Sequence, residues 1–187
     1  MEEKEIKDIL LKTGSLLTGH FKLSSGLHSD TYVQCALCLK YPAYASIFAK
    51  ELYIKTLNLK PDIIISPALG GIIIGWEVAR SFNLPFVFTE REDGVVKLRR
   101  GFNIDKYQKV LIVEDVFTTG KSTLEVADVV KKSEGVVVGA CSIIKRGEIK
   151  FDFPSVSLLN LDLKTYQPEA CPMCEKNIPV IKPGSRK

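Results

Sequence analysis

Lys109-Val110-Leu111-Ile112-Val113-Glu114-Asp115-Val116-Phe117-Thr118-Thr119-Gly120-Lys121-Ser122-Thr123 decides how the rest of the chain is read. After Lys109 the stretch begins as an apolar run, Val110 to Val113, rich in β-branched residues, as expected of a strand buried on both faces. Glu114 and Asp115 close that run, a small hydroxyl-rich turn follows, and Leu124, Val126, Ala127, Val129 and Val130 continue at helical spacing. A helix that begins just after a turn offers unpaired N–H groups and a positive dipole end, which suits a phosphate. Thr118, Thr119, Ser122 and Thr123 add hydroxyl donors, and Gly120 permits close backbone approach. A P-loop needs its first glycine five residues before Gly120, where this chain has Asp115. Two acids at the mouth of a phosphate turn point instead to sugar hydroxyls beside a sugar phosphate.

Working outward, the same grammar recurs. Pro61 to Ser66 reads as a buried strand, followed by Pro67-Ala68-Leu69-Gly70-Gly71 and a helix through Ile74, Val78 and Ala79. That glycine turn is a second candidate anion cradle. Pro85 to Thr89 is a further strand, and Glu90 to Gly101 is the most charged segment, with Asp93-Gly94 as a hairpin turn. Val136 to Lys145 and Ser155 to Leu161 complete the strands. Tyr41-Pro42 opens a helix to about Leu57, and Glu2 to Leu17 reads as a polar-faced helix. Between these two, Gly19 to Cys35 fits two short strands around Ser24-Ser25-Gly26, with His20 and His28 structural or solvated. Alternating strands and helices give an α/β fold with a mostly parallel central sheet flanked by helices.

Bulk properties narrow the classes. A chain of 187 residues is most simply one domain over 1–187, with 1–40 and the C-terminal tail peripheral. The net charge of +4 does not mark a nucleic-acid binder. No apolar run approaches the roughly 18 residues of a membrane span, and the N-terminus lacks a signal-peptide profile, so the cytoplasm is expected. Five cysteines include two C-x-x-C pairs, Cys35/Cys38 and Cys171/Cys174. Paired C-x-x-C motifs hold structural zinc when close together. These pairs are far apart in the chain, so reduced, packed cysteines are the expectation and zinc the less favoured alternative.

The Glu-Asp-Φ-Φ-Thr-Thr-Gly-x-Ser pattern resembles the phosphoribosyl-pyrophosphate (PRPP) motif of type I phosphoribosyltransferases. Phe21-x-Leu-x-Ser-Gly-x-x-Ser-x-x-Tyr32 resembles the hood over the base in orotate phosphoribosyltransferases. The resemblance runs from Gly19 to Arg146 and implies transfer of phosphoribosyl from PRPP to orotate, in pyrimidine synthesis. It assigns the ribose and 5′-phosphate to Glu114, Asp115, Val116, Phe117, Thr118, Thr119, Gly120, Lys121 and Ser122. The pyrophosphate loop becomes Ala68, Leu69, Gly70 and Gly71, although the family often has Lys where Gly70 stands. Orotate falls to Thr118, Arg146 and Tyr32. Residues 90–101 correspond to the family's mobile catalytic loop, with Lys97 and Arg91 as candidate cations beside the carboxylate of Asp115. The usual Arg-Lys-x-x-Lys-x-His is not reproduced there. Mg²⁺ is implied as the metal carried by PRPP, and a homodimer as the assembly. A purine-base phosphoribosyltransferase and a non-catalytic nucleotide-binding regulator remain as alternatives; Arg146 and the hood speak against the first, the modest charge against the second.

Overall fold

The computed structural model describes residues 1–23 and 25–183, so Ser24 of the expected hairpin turn lies outside the described residues. Among the described residues, nine strands and six α-helices follow one another as α1 (Glu3–Lys12), β1 (Leu16–Lys22), β2 (His28–Val33), α2 (Ala36–Leu39), α3 (Pro42–Thr56), β3 (Ile63–Pro67), α4 (Gly71–Phe82), β4 (Phe86–Glu92), β5 (Val95–Leu98), β6 (Lys109–Phe117), α5 (Lys121–Lys132), β7 (Val136–Arg146), β8 (Ser155–Leu161), β9 (Thr165–Tyr166) and α6 (Pro172–Glu175). A six-stranded sheet has the order β5-β4-β3-β6-β7-β8 and is parallel except for the β4–β5 hairpin. A smaller antiparallel sheet, β1-β2-β9, joins the N-terminal hairpin to the C-terminal segment.

Period-two alternation sorts the apolar strand residues onto two faces. Ile64, Leu111, Val113, Cys141, Ile143 and Leu159 pack with buried residues of α1, α3 and α4. Ile63, Ile65, Val110, Ile112 and Ala140 pack with Val126, Ala127 and Val130 of α5. Gly75 brings α4 close to the sheet: a Cβ there would lie 2.0 Å from Ser66 Oγ and 2.6 Å from the Phe86 ring. Among the described residues, no helix is long and apolar enough to cross a membrane.

The connectivity locates the crevice. From β3 the chain proceeds outward to β4 and β5, then returns to β6 on the other side of β3 and continues outward to β7 and β8. The order therefore reverses between β3 and β6. Open α/β sheets bind ligands outside the carboxyl ends of strands at such a point. Both glycine turns, after β3 and after β6, lie there.

Three sequence expectations shift. The first helix stops at Lys12, not Leu17, because Gly14 turns the chain at φ +72° and Leu16 and Leu17 pair with Val33 and Tyr32. The central strand does not end before its acids. It runs through Glu114 and Asp115 to Phe117 because β7 continues beside it, pairing Val116 with Ile144 and Phe117 with Lys145. Likewise β4 extends to Glu92, since β5 pairs with every residue from Thr89 onward.

Candidate functional site

The turn after β6 is shaped by Gly120, which sits at φ +75° as the residue before α5. A Cβ there would come within 2.8 Å of Ile149 and 2.9 Å of the Phe151 ring, so a larger residue is opposed by conformation and by space. Lys121 N–H donates to Thr119 Oγ1 at 3.3 Å, and Leu124 N–H donates to Gly120 O at 2.9 Å. Among the described residues, no acceptor takes the N–H of Ser122 or Thr123. The helix therefore presents open donors, with the side chains of Thr118, Thr119 and Lys121 exposed around them. Phe117 is different. Its side chain is fully buried against Phe151, so only its backbone lines the turn.

Glu114 and Asp115 alternate along β6, so their side chains leave the sheet on opposite faces. Glu114 lies towards α5, where Thr123 Oγ1 donates to Oε2 at 2.8 Å. Burial pushes its pKa up to about 7; the Asp115 charge adds to this and the Thr123 hydrogen bond opposes it. Asp115 is also raised by burial, against the opposing bond from Val116 N–H to Oδ1 at 2.9 Å. Among the described residues neither carboxylate has an ion-pair partner. Two part-buried acids held without a cation favour a ligand that brings hydroxyl donors or positive charge.

Asp115 reaches the other turn. A Cβ on Gly70 would stand 2.8 Å from both Asp115 carboxylate oxygens. The glycine at this position thus lets the β3–α4 loop close over the carboxylate, where a lysine would have to displace it. Gly71 packs on the sheet in the same way: a Cβ there would lie 3.0 Å from Val113 O. Ala68 N–H donates to Thr89 O at 2.9 Å, and Leu69 is exposed at the tip. The first turn thus adjoins Asp115, which lies on the strand that leads into the second.

The charged hairpin has both candidate cations paired. Arg91 bridges to Glu125 of α5, and Lys97 Nζ lies 3.0 Å from Glu92 Oε2. Lys97 stands opposite Glu90, whereas Arg91 stands opposite Val96. The two cations therefore leave opposite faces of the hairpin, and this conformation does not bring both to one point. Arg99 pairs with the same Glu92 at 3.3 Å, and Arg100 with Glu90 at 2.8 Å.

Arg146 ends β7, the neighbour of β6, and is half-buried. Burial lowers its pKa from the usual arginine value, while the Tyr32 phenol on β2 acts in the opposite sense. Tyr32 itself packs on Phe21, with ring centroids 5.7 Å apart. Two of the three residues singled out for the base, Tyr32 of the hood and Arg146 at the end of β7, are therefore close enough to influence each other. Among the described residues Arg146 has no carboxylate partner, so a planar bidentate anion is the group its fork is free to take.

Sequence reasoning misses Glu125, which holds Arg91, and gives the Thr123 hydroxyl to the phosphate, whereas it anchors Glu114. Both lie one helical turn or less from Ser122, so the helix start is their signal. Cys35 and Cys38 are buried in the core beside α3, with Cys38 Sγ donating to Cys35 O at 3.1 Å. They do not meet Cys171 and Cys174. His20 and His28 are both buried, not solvated, and lie with that second cysteine pair.

Residues 45–152 match the family model described as "Phosphoribosyl transferase domain". The orotate phosphoribosyltransferase of Thermoanaerobacter sp. (strain X514) is 49% identical over 189 aligned positions, covering 100% of both chains. That of Caldicellulosiruptor bescii is 46% identical, covering 94% of this chain and 93% of its own. Among solved structures, orotate phosphoribosyltransferase from Aeropyrum pernix superposes with a TM-score of 0.72 at 24% identity, covering 83% of this chain and 93% of that one. Adenine phosphoribosyltransferase from Thermoanaerobacter pseudethanolicus also superposes, with a TM-score of 0.62 at 16% identity over 70% of this chain and 88% of its own. At those identities the structures share the fold alone, and it serves more than one base.

Proposed function

The chain belongs to the orotate phosphoribosyltransferase family, and we propose that the crevice between β3 and β6 transfers the 5-phosphoribosyl group of PRPP to orotate. The products are orotidine 5′-monophosphate and pyrophosphate, a step in the synthesis of UMP. The observation that carries this reading is the contact of Asp115 with Gly70, which puts a carboxylate, a 5′-phosphate turn and a pyrophosphate loop at one opening. The base is argued from Arg146 beside Tyr32.

In the reaction the C1′–oxygen bond breaks and pyrophosphate leaves with the electron pair. N1 of orotate, having lost its proton, supplies the pair for the new C1′–N bond. No nucleophilic side chain is needed. Positive charge develops on the ribose ring, and Glu114 and Asp115 stabilise it while accepting from the ribose hydroxyls. Thr118, Thr119, Gly120, Lys121 and Ser122, with the backbone of Val116 and Phe117, hold the 5′-phosphate. Ala68, Leu69, Gly70 and Gly71 cradle the pyrophosphate through N–H groups. A cation must then come from the hairpin. Lys97 is the candidate on one face, and Arg91 contributes once released from Glu125. Mg²⁺ enters as part of the PRPP complex. Glu114 and Asp115 suit such an ion through substrate oxygens and water, because among the described residues they are not part of a gathered three-ligand set.

A panel of bases with Mg²⁺ and PRPP, read by pyrophosphate release, tests the assignment. Orotate should react and adenine, guanine and xanthine should not. Product with a purine and none with orotate would overturn the base assignment; nucleotide binding with no turnover of any base would favour a regulator. Residence in the cytoplasm and a homodimer belong to the same reading, and fractionation and sedimentation bear on them.

The raised pKa of Glu114 gives a pH signature. The free enzyme should bind PRPP best with Glu114 ionised, so kcat/KM for PRPP should climb as pH rises through about 7 and level off above it. Glu114→Gln should lose that limb. A limb that survives the substitution unchanged would assign it to another group.

A further inference from the structure

Four metal-binding side chains converge between the hood and the C-terminal segment, none of them among the residues assigned to the crevice. The ligand atoms of His20, His28, Cys171 and Cys174 all lie within 4.8 Å of one another. Cys171 Sγ is 3.5 Å from His20 Nε2; Cys174 Sγ is 3.7 Å from the same nitrogen and 3.3 Å from His28 Nδ1. Zn–N bonds of about 2.0–2.1 Å and Zn–S bonds of about 2.3 Å place tetrahedral N···S edges near 3.6 Å and the N···N edge near 3.3 Å. These three sulfur–nitrogen spacings fall within about 0.3 Å of that edge. The two ring nitrogens, at 2.8 Å, would separate by roughly half an ångström to sit on one ion.

The protonation pattern points the same way. His20 Nδ1–H donates to Ile178 O at 2.7 Å, which leaves Nε2 as a bare lone pair aimed at the cluster. This is the outer hydrogen bond that metal-bound histidines usually make. A second lone pair, on His28 Nδ1, faces it whenever His28 carries its proton on Nε2. Three of the four side chains are buried and the fourth is partly so. At 2.8 Å the two rings share a hydrogen bond when His28 carries its proton on Nδ1; in the other tautomer both lone pairs and the two thiols face one point, which a shared cation would satisfy.

We propose that His20, His28, Cys171 and Cys174 bind a structural Zn²⁺ that fastens the C-terminal segment to the hood. Two thiolates and two imidazoles in a tetrahedron select zinc, and a closed four-ligand set leaves no open position for catalysis. The location explains the need. Among the described residues, the segment after β8 offers only a two-residue strand, a three-residue 3₁₀ turn at Pro168–Ala170 and the four-residue α6, and its apolar Ile178, Val180 and Ile181 stay exposed. It meets the hood through β2–β9 pairing and through Ile181, whose N–H donates to His20 O at 2.8 Å and whose carbonyl accepts from Lys22 N–H at 2.8 Å. Little apolar burial holds it, the circumstance in which short segments use metals. The Cys35/Cys38 pair has no part in this site, and the zinc is independent of what the crevice binds.

The test is metal content of untagged protein purified without chelator and with reduced thiols. One zinc per chain is expected, and cobalt added to zinc-stripped protein should give tetrahedral d–d bands with thiolate-to-cobalt charge transfer. Cys174→Ser and His28→Ala should lose the metal, and Cys38→Ser should keep it. The wild-type cobalt spectrum decides the matter even if a variant fails to fold. Protein with neither zinc nor cobalt uptake overturns the proposal, leaving a hydrogen-bonded His–Cys packing cluster. Zinc that stays on Cys174→Ser, or leaves with Cys38→Ser, overturns the ligand assignment.

Discussion

Asp115→Asn is expected to lower kcat by about 10²–10³-fold, the scale on which removing one preorganised electrostatic group slows an enzyme. Glu114→Gln should follow the same direction, because Thr123 Oγ1 can still donate to the amide oxygen and hold the side chain in place. Stability should move the other way. Burial raises the Glu114 pKa to about 7 against an ordinary value of 4.5, so the folded state binds this proton more tightly than the unfolded chain does. The associated stability is present in full below 4.5, is lost as pH rises from 4.5 to 7, and leaves a fixed deficit above 7. At about 1.4 kcal/mol per pKa unit that deficit is at most about 3.5 kcal/mol. Glu114→Gln removes it, so its Tm at about pH 8 should equal or exceed that of the wild type. Kinetics and thermal melts run in parallel separate the roles. Wild-type turnover in both variants would end the ribose assignment, and lost turnover with a lowered Tm would make the acids structural.

How much of this is legible in the sequence follows from the range of each interaction. The acids, the turn and the start of α5 are neighbours in the chain, and their chemistry is local: a strand, a left-handed glycine and open helix N–H groups. The resemblance to the family's mobile loop singles out Lys97 and Arg91, and neither it nor their charge reports the face. Only the β4–β5 register, pairing Glu90 with Lys97 and Arg91 with Val96, shows that they diverge. The acids also sit deeper in the strand than the apolar run suggests, because β7 supplies partners beyond the point where local hydrophobicity ends. Gly70 reads in the sequence as a missing lysine; its contact with Asp115 is between residues that follow and belong to different strands, and shows why a small residue fits. The histidines are the least legible. His20 and His28 are separated from Cys171 and Cys174 by most of the chain, and nothing local distinguishes a buried ligand from a packed ring.

Arg146→Ala is expected to raise the KM for orotate by about 10²-fold while leaving the KM for PRPP nearly unchanged. A hydrogen bond to a charged partner contributes about 1.5–3 kcal/mol, and about 2.7 kcal/mol corresponds to that factor. The residue is suited to the measurement because its loss should cost little in folding: it is half-buried and, among the described residues, pairs with no carboxylate that its removal would strand. Arg146→Lys sharpens the test. It keeps the charge but replaces the planar fork with a point ammonium, so orotate affinity should recover only in part. Full recovery would mean that Arg146 acts through charge alone. A rise in the KM for PRPP with orotate unaffected would move Arg146 to the phosphate side of the crevice, and the choice of orotate over a purine would then rest on the sequence relatives and the hood.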